Sequence, residues 1–192
     1  MKTMYAILGL LAVCATATAF SARTKGGDDS AALVKALARS KHSLASAIQQ
    51  VSKGSEVALS AKFEFDDKGK LSLSVYAAEK GLAVDAEHNV LKEYGGSPEQ
   101  SAWAPELEVF KDVEHVARSA QQETLLSITT VSLLDIIAKA EKESKGQVLA
   151  ITPALDGRKP IFAVKVVSGD KVVESKYGLF GDEDEDEEHE KH

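Results

Sequence analysis

The stretch that decides the fold reads Val57-Ala58-Leu59-Ser60-Ala61-Lys62-Phe63-Glu64-Phe65. Its odd positions are apolar and most of its even ones polar, the period of a strand with one buried face. Asp66-Asp67-Lys68-Gly69 follows, which is turn chemistry. Alternation then resumes with Leu71, Leu73 and Val75 around Ser72 and Ser74. Two alternating runs around a tight turn predict an antiparallel hairpin that offers one apolar face to a helix. Gly81 to Leu91, which includes Val84-Asp85-Ala86-Glu87, is expected to add a further strand or turn.

The helix for that face lies upstream. Asp28-Asp29-Ser30 is an N-cap cluster, and Leu33, Leu37, Leu44, Ile48 and Val51 keep one helical side apolar. Lys53-Gly54 then supplies a C-cap. The expectation is one helix across this span.

The same order returns downstream. Thr130 or Ser132 caps a helix carrying Leu133, Ile136, Ile137 and Ala140, which ends at Lys145-Gly146. Val148 to Leu155 reads as a strand in which Pro153 requires an edge or a bulge. Asp156-Gly157 turns, Phe162, Val164 and Val166 alternate, and Val172-Val173 opens another strand after Ser168-Gly169-Asp170. Ser43-Leu44 and Ile48 align with Ser132-Leu133 and Ile137 at an offset of 89 residues. Val57 and Leu71 align with Val148 and Phe162 at an offset of 91. Such self-similarity predicts a repeated unit. The fold class expected is therefore α+β, two tandem helix-on-antiparallel-sheet units. The boundaries are 28–96 for the first unit, 97–126 for a linker with a short helix, and 127–181 for the second. Ser97-Pro98 and Ala104-Pro105 mark the linker, and Trp103, Phe110, Val113 and Val116 form the apolar side of its helix. A single unit this small has a marginal core, so Trp103 and Phe110 are expected to pack between the two.

These motifs resemble the PepSY domain. The helix pattern stands in Ser43-Leu44-Ala45-Ser46-Ala47-Ile48 and in Val131-Ser132-Leu133-Leu134-Asp135-Ile136-Ile137-Ala138-Lys139-Ala140. Gly146-Gln147-Val148, Phe162-Ala163-Val164-Lys165-Val166 and Leu73-Ser74-Val75-Tyr76 match its strands, and Val84-Asp85-Ala86-Glu87-His88-Asn89-Val90-Leu91 matches its closing turn. Asn89 replaces the glycine of that turn, a substitution that a left-handed backbone would tolerate. The second unit has Glu174-Ser175-Lys176 where the closing motif would stand. The resemblance spans most of residues 30–180 and implies a binding role without catalysis, as a peptidase-binding or peptidase-inhibiting protein or in a chaperone-like capacity. An exposed sheet edge could accept a peptide strand, and no sequence feature singles out the edge.

The chain's two ends carry different signals. Lys2, the apolar residues Tyr5, Ile7, Leu8, Leu10, Leu11 and Val13, and Ala17-Thr18-Ala19 form a signal peptide over 1–19, with Phe20 as the new N-terminus. Leu11-Ala12-Val13-Cys14 departs from a lipobox at Val13, so lipoprotein processing is the lesser expectation. The expected location is periplasmic or secreted, with no membrane span after cleavage. At the other end, 182–192 form a tail with eight acidic residues and one lysine. Its net charge equals the −7 of the whole chain, leaving the remaining 181 residues balanced. Like charges at this density favour disorder. Asp182, Glu183, Asp184, Glu185, Asp186, His189 and His192 are the candidate metal ligands, suited to weak divalent-cation binding.

Several chemistries are not signalled. The acidic balance disfavours nucleic acid as a partner. A single cysteine, lost with the signal peptide, leaves no disulfide, no thiolate zinc site and no thiol nucleophile. HExxH, GxSxG, Walker and GxGxxG motifs do not occur. No catalytic residue and no cofactor is expected. His42 and His115 are expected on solvated helix surfaces, whereas His88, beside Asp85 and Glu87, could touch a metal ion. The leading expectation is an exported binding protein that engages a peptidase or another envelope protein. The alternative is divalent-cation binding or sensing through the acidic tail.

Overall fold

The computed structural model describes residues 28–181. The signal peptide, Cys14 and the acidic tail with its candidate metal ligands lie outside the described residues. Among the described residues, seven strands form one antiparallel sheet: β1 (Val57–Phe65), β2 (Leu71–Ala78), β3 (Leu91–Gly96), β4 (Glu106–Val109), β5 (Gln147–Asp156), β6 (Lys159–Ser168) and β7 (Lys171–Gly178). Their order is β4-β3-β2-β1-β5-β6-β7. Four helices accompany them: α1 (Asp28–Leu37), α2 (Leu44–Val51), α3 (Val113–Ser127) and α4 (Leu133–Ser144).

This architecture corrects the expectation of two tandem helix-on-sheet units. The strands form one continuous sheet, because β1 pairs with β5 through Ala61 opposite Ile151 and Lys62 opposite Ala150. A half-sheet ending on β1 would leave a row of backbone donors and acceptors unpaired. Joining β1 to β5 removes both such edges at once.

Two rows of directly opposed residues show how the faces differ. One runs Leu107, Tyr94, Val75, Ala61, Ile151, Val164 and Ser175 across all seven strands. Its central members Val75, Ala61, Ile151 and Val164 are completely or almost completely buried. The adjacent row runs Glu106, Gly95, Ser74, Lys62, Ala150, Lys165 and Glu174. The first face packs under α4, whose Lys139 lies over the Tyr177 ring and whose Glu143 accepts the Tyr177 hydroxyl. Helix α2 packs on β1 and β2 and touches α4. Helix α3 crosses the second face, where the Ser60 hydroxyl donates to Gln122 at 2.8 Å.

The single helix expected from Asp28 to Val51 is two helices. The first ends at Leu37, and Ser43 starts the second: its side chain accepts from the Ser46 amide, while the Ser46 side chain accepts from the Ser43 amide. A reciprocal cap of this kind fixes a new N-terminus. The break also lets the Lys41 amide reach the Pro98 carbonyl. Ser132 forms the equivalent capping box with Asp135 at the start of α4. Helix α4 ends on Lys145, which itself adopts the left-handed conformation. Gly146 is needed for another reason, since a Cβ there would collide with the Val167 carbonyl oxygen.

Both long hairpins carry a register shift near their start, between Ala58 and Ser60 in β1 and between Val148 and Ala150 in β5. Pro153 sits inside β5, beyond the two pairs that β5 makes with β1, so its missing N–H interrupts no pairing on that side. The segment 97–126 contains β4 and most of α3. Trp103 is 3% exposed, and its indole N–H donates to the Gly96 carbonyl. Among the described residues, no helix is long and apolar enough to cross a membrane.

Candidate functional site

The second sheet face is only partly roofed by α3. Beside the helix it opens into a groove of about 860 Å³, floored by Lys62, Glu64, Ser72, Ser74, Tyr76, Glu93 and Gly95 and bordered by Glu106, Glu108 and His115. The floor follows from strand alternation: the strands that carry the core on one side carry these polar groups on the other.

The floor is internally braced. Lys62 Nζ lies 2.6 Å from Glu64 Oε2, and the Ser74 hydroxyl donates to Glu64 Oε1 at 3.2 Å. Lys62 Nζ also sits 5.4 Å from the centroid of the Tyr76 ring. Burial works against the Lys62 charge, but the hydrogen bond and charge of Glu64, with help from Tyr76, outweigh it and hold the ammonium above its usual range. Burial pushes the Tyr76 hydroxyl up, against the opposing pull of Lys62. At the groove's end the Phe110 ring lies 5.5 Å from Tyr76 and 5.0 Å from the His115 imidazole. His115 stands in the first turn of α3, and Asp112, the N-cap, accepts from both its amide and its ring nitrogen.

The groove is acidic. Its lining holds the carboxylates of Glu64, Asp66, Asp67, Glu93, Glu106 and Glu108 against the one lysine, Lys62. Glu93 and Glu108 stand directly opposite each other on β3 and β4. Like charges in that position repel. Such a surface suits a cationic ligand or peptide.

The second cluster is the loop between β2 and β3. Asp85, Glu87 and His88 each place one ligand atom within 4.8 Å of the others, all at the exposed surface. His88 Nδ1 lies 2.8 Å from Asp85 Oδ1, and this hydrogen bond holds the Asp85 carboxyl below its usual range. Three exposed ligands could hold a divalent ion only loosely.

Asn89 is not in the left-handed conformation expected from its place in the motif; Lys145 is the only non-glycine residue with positive φ among the described residues. Its side chain organises the loop instead. The Oδ1 atom accepts from the Lys80 and Val90 amides, and Nδ2 donates to the Gly81 carbonyl and to Glu123 Oε1 at 2.6 Å. Glu123 is a residue that sequence reasoning missed. It sits on α3 at 3% exposure, and its Oε2 has no hydrogen-bond partner. Burial raises its pKa, the Asn89 bond opposes this, and the charge of Asp85 adds to the rise.

His42 lies in the loop between α1 and α2, with Nε2 3.0 Å from the Gln100 carbonyl oxygen. The strand alternation of Glu106-Leu107-Glu108-Val109 was the available signal for the groove's border. Compared with protein-family models, curated proteins and solved structures, the chain has no match.

Proposed function

We propose that the chain is an exported binding protein without catalytic activity of its own, which engages another envelope protein, a peptidase among the candidates. The observation that carries this reading is the acidic groove on the half-roofed sheet face, lined by six carboxylates and floored by a braced Lys62–Glu64–Ser74 network. A rigid polar floor beside a terminal strand is suited to holding an extended segment of a partner. The PepSY-like motifs and the signal sequence support the same reading.

The test combines processing with binding. Intact mass of the chain recovered from the envelope should correspond to a start at Phe20; retention of 1–19, or a diacylglyceryl group on Cys14, would contradict the export route. The purified chain should form a stoichiometric complex with an envelope protein and turn over no substrate. Turnover that disappears on changing one groove residue would replace the binding role with an enzymatic one.

A second reading, divalent-cation binding or sensing, is favoured by the proximity of Asp85, Glu87 and His88 and by the carboxylate-rich tail, Asp182 to His192. Calorimetric titration with calcium tests it. Tight stoichiometric binding that persists at high salt would support that reading over the first.

A further inference from the structure

Among the described residues, strand β4 ends the sheet on one side, and all four of its residues are exposed. Its hydrogen-bonding direction can be assigned. The Phe110 amide donates to the Leu91 carbonyl, so the N–H of Phe110 points into the sheet. Backbone groups alternate along an antiparallel strand. Glu108, two residues earlier, therefore also points inward, and the N–H and C=O groups of Leu107 and Val109 point outward along the free edge. The side chains alternate as well. Glu106 and Glu108 flank the acidic groove, whereas Leu107 and Val109, opposite Tyr94 and Lys92, lie on the other face at 52% and 41% exposure.

We propose that this edge takes an extended segment of a partner as an eighth strand, and that the segment alternates cationic and apolar residues. This rests on the binding-protein reading and names the partner's chemistry. A residue added directly opposite another shares its face. Those facing Glu106 and Glu108 therefore meet carboxylates, and those facing Leu107 and Val109 meet apolar side chains. The repulsion between Glu93 and Glu108 makes the same demand, since none of Glu93, Glu106 or Glu108 forms an ion pair among the described residues. A lysine or arginine opposite Glu108 would relieve that repulsion. A second copy of this chain paired through β4 would bring Glu106 and Glu108 against the same two residues, so the acidic face disfavours self-pairing.

The probe is a labelled, end-capped hexapeptide of alternating lysine and valine, titrated with the full chain by fluorescence anisotropy. Two controls are the same composition in lysine and valine blocks, and an alternating glutamate–valine peptide. The alternating basic peptide should bind at least tenfold more tightly than either control and weaken steeply with salt. Leu107→Pro removes an outward N–H without taking one from the β3–β4 ladder, a place where edge strands accept proline. It should weaken binding at least tenfold with the melting temperature retained. Should that variant fail to fold, the surface pair Glu106→Lys and Glu108→Lys decides: it should abolish binding of the basic peptide and admit the acidic one. Equal binding of the blocked peptide, indifference to both variants, or β4-dependent dimerisation of the chain would overturn the proposal. The envelope-protein complex is measured with the same variants. Its survival in them, with no peptide binding, removes the β4 assignment and keeps the binding-protein reading. Absence of any such complex removes the reading itself.

Discussion

Replacing Glu123 with glutamine should stabilise the protein at neutral pH. The Glu123 carboxylate is 3% exposed, accepts one hydrogen bond from Asn89 and leaves Oε2 without a partner. Its pKa is raised chiefly by burial, with the nearby Asp85 charge adding to the rise. Leaving a buried polar atom unsatisfied costs about 1–3 kcal/mol, and more when it is charged. Asn89 already satisfies Oε1, which places the gain at the low end. Glu123→Gln keeps an oxygen for the Asn89 amide and places its amide nitrogen in the partnerless position of Oε2, so the gain comes from removing the charge alone, about 1 kcal/mol. For a chain of this size that corresponds to a melting-temperature rise of about 2–4 °C. The pH dependence follows from the direction of the shift. A carboxyl whose folded pKa lies above its unfolded value contributes stability below the unfolded value, near pH 4.3, and loses it as pH rises through the folded one. Glutamine does not titrate. The advantage of Glu123→Gln should therefore be near zero at about pH 4, grow with pH and level off above the folded pKa. Urea denaturation of both proteins between those conditions reads this directly. A variant less stable than wild type at pH 7.5, or one offset by a constant amount at every pH, would refute the reasoning.

Three further outcomes are expected. Phe63→Asp should lose about 4 kcal/mol or more, because Phe63 is 4% exposed on the helix-covered sheet face and an aspartate there has no partner; urea unfolding checks it, and a near-wild-type midpoint would contradict the packing. Ser132→Ala removes the acceptor for the Asp135 amide and should lower stability by about 1 kcal/mol, measured the same way. Truncation after Gly181 should change the melting temperature by less than about 2 °C, while weak, salt-sensitive calcium uptake falls; a larger thermal loss would mean that the tail docks on the body.

The parts legible in the sequence are those with local causes. The β1–β2 alternation, the Asp66–Gly69 turn and the Ser132 cap can each be read from a few neighbouring residues. The joining of β1 to β5 has no such signal. It rests on two opposed pairs between residues about 90 positions apart, and Ala61, Lys62, Ala150 and Ile151 would look the same in separate sheets. The helix break between Leu37 and Leu44 is obscured by apolar spacing: the two are seven apart and fit one continuous helix face, so the Ser43 capping box is the decisive local feature. Strand β4 shows its alternation in the sequence, but over four residues directly after Pro105, where a linker reads equally well. The candidate site was least legible. Its acidity comes from Glu64, Glu93, Glu106 and Glu108, each ordinary in its own strand and adjacent only through sheet register. Glu123 reads as one more polar residue of an amphipathic helix until the loop carrying Asn89 closes over it.

The free edge of β4 and the acidic groove beside it carry the proposed binding. Hydrogen–deuterium exchange of the full chain, alone and saturated with the alternating lysine–valine peptide, tests this most directly. Leu107 and Val109 carry the outward-facing amides, so exchange should slow at these two positions, with the inward-facing Glu108 amide little changed. Protection confined to β7, or no protection on β4 at saturating peptide, would contradict it.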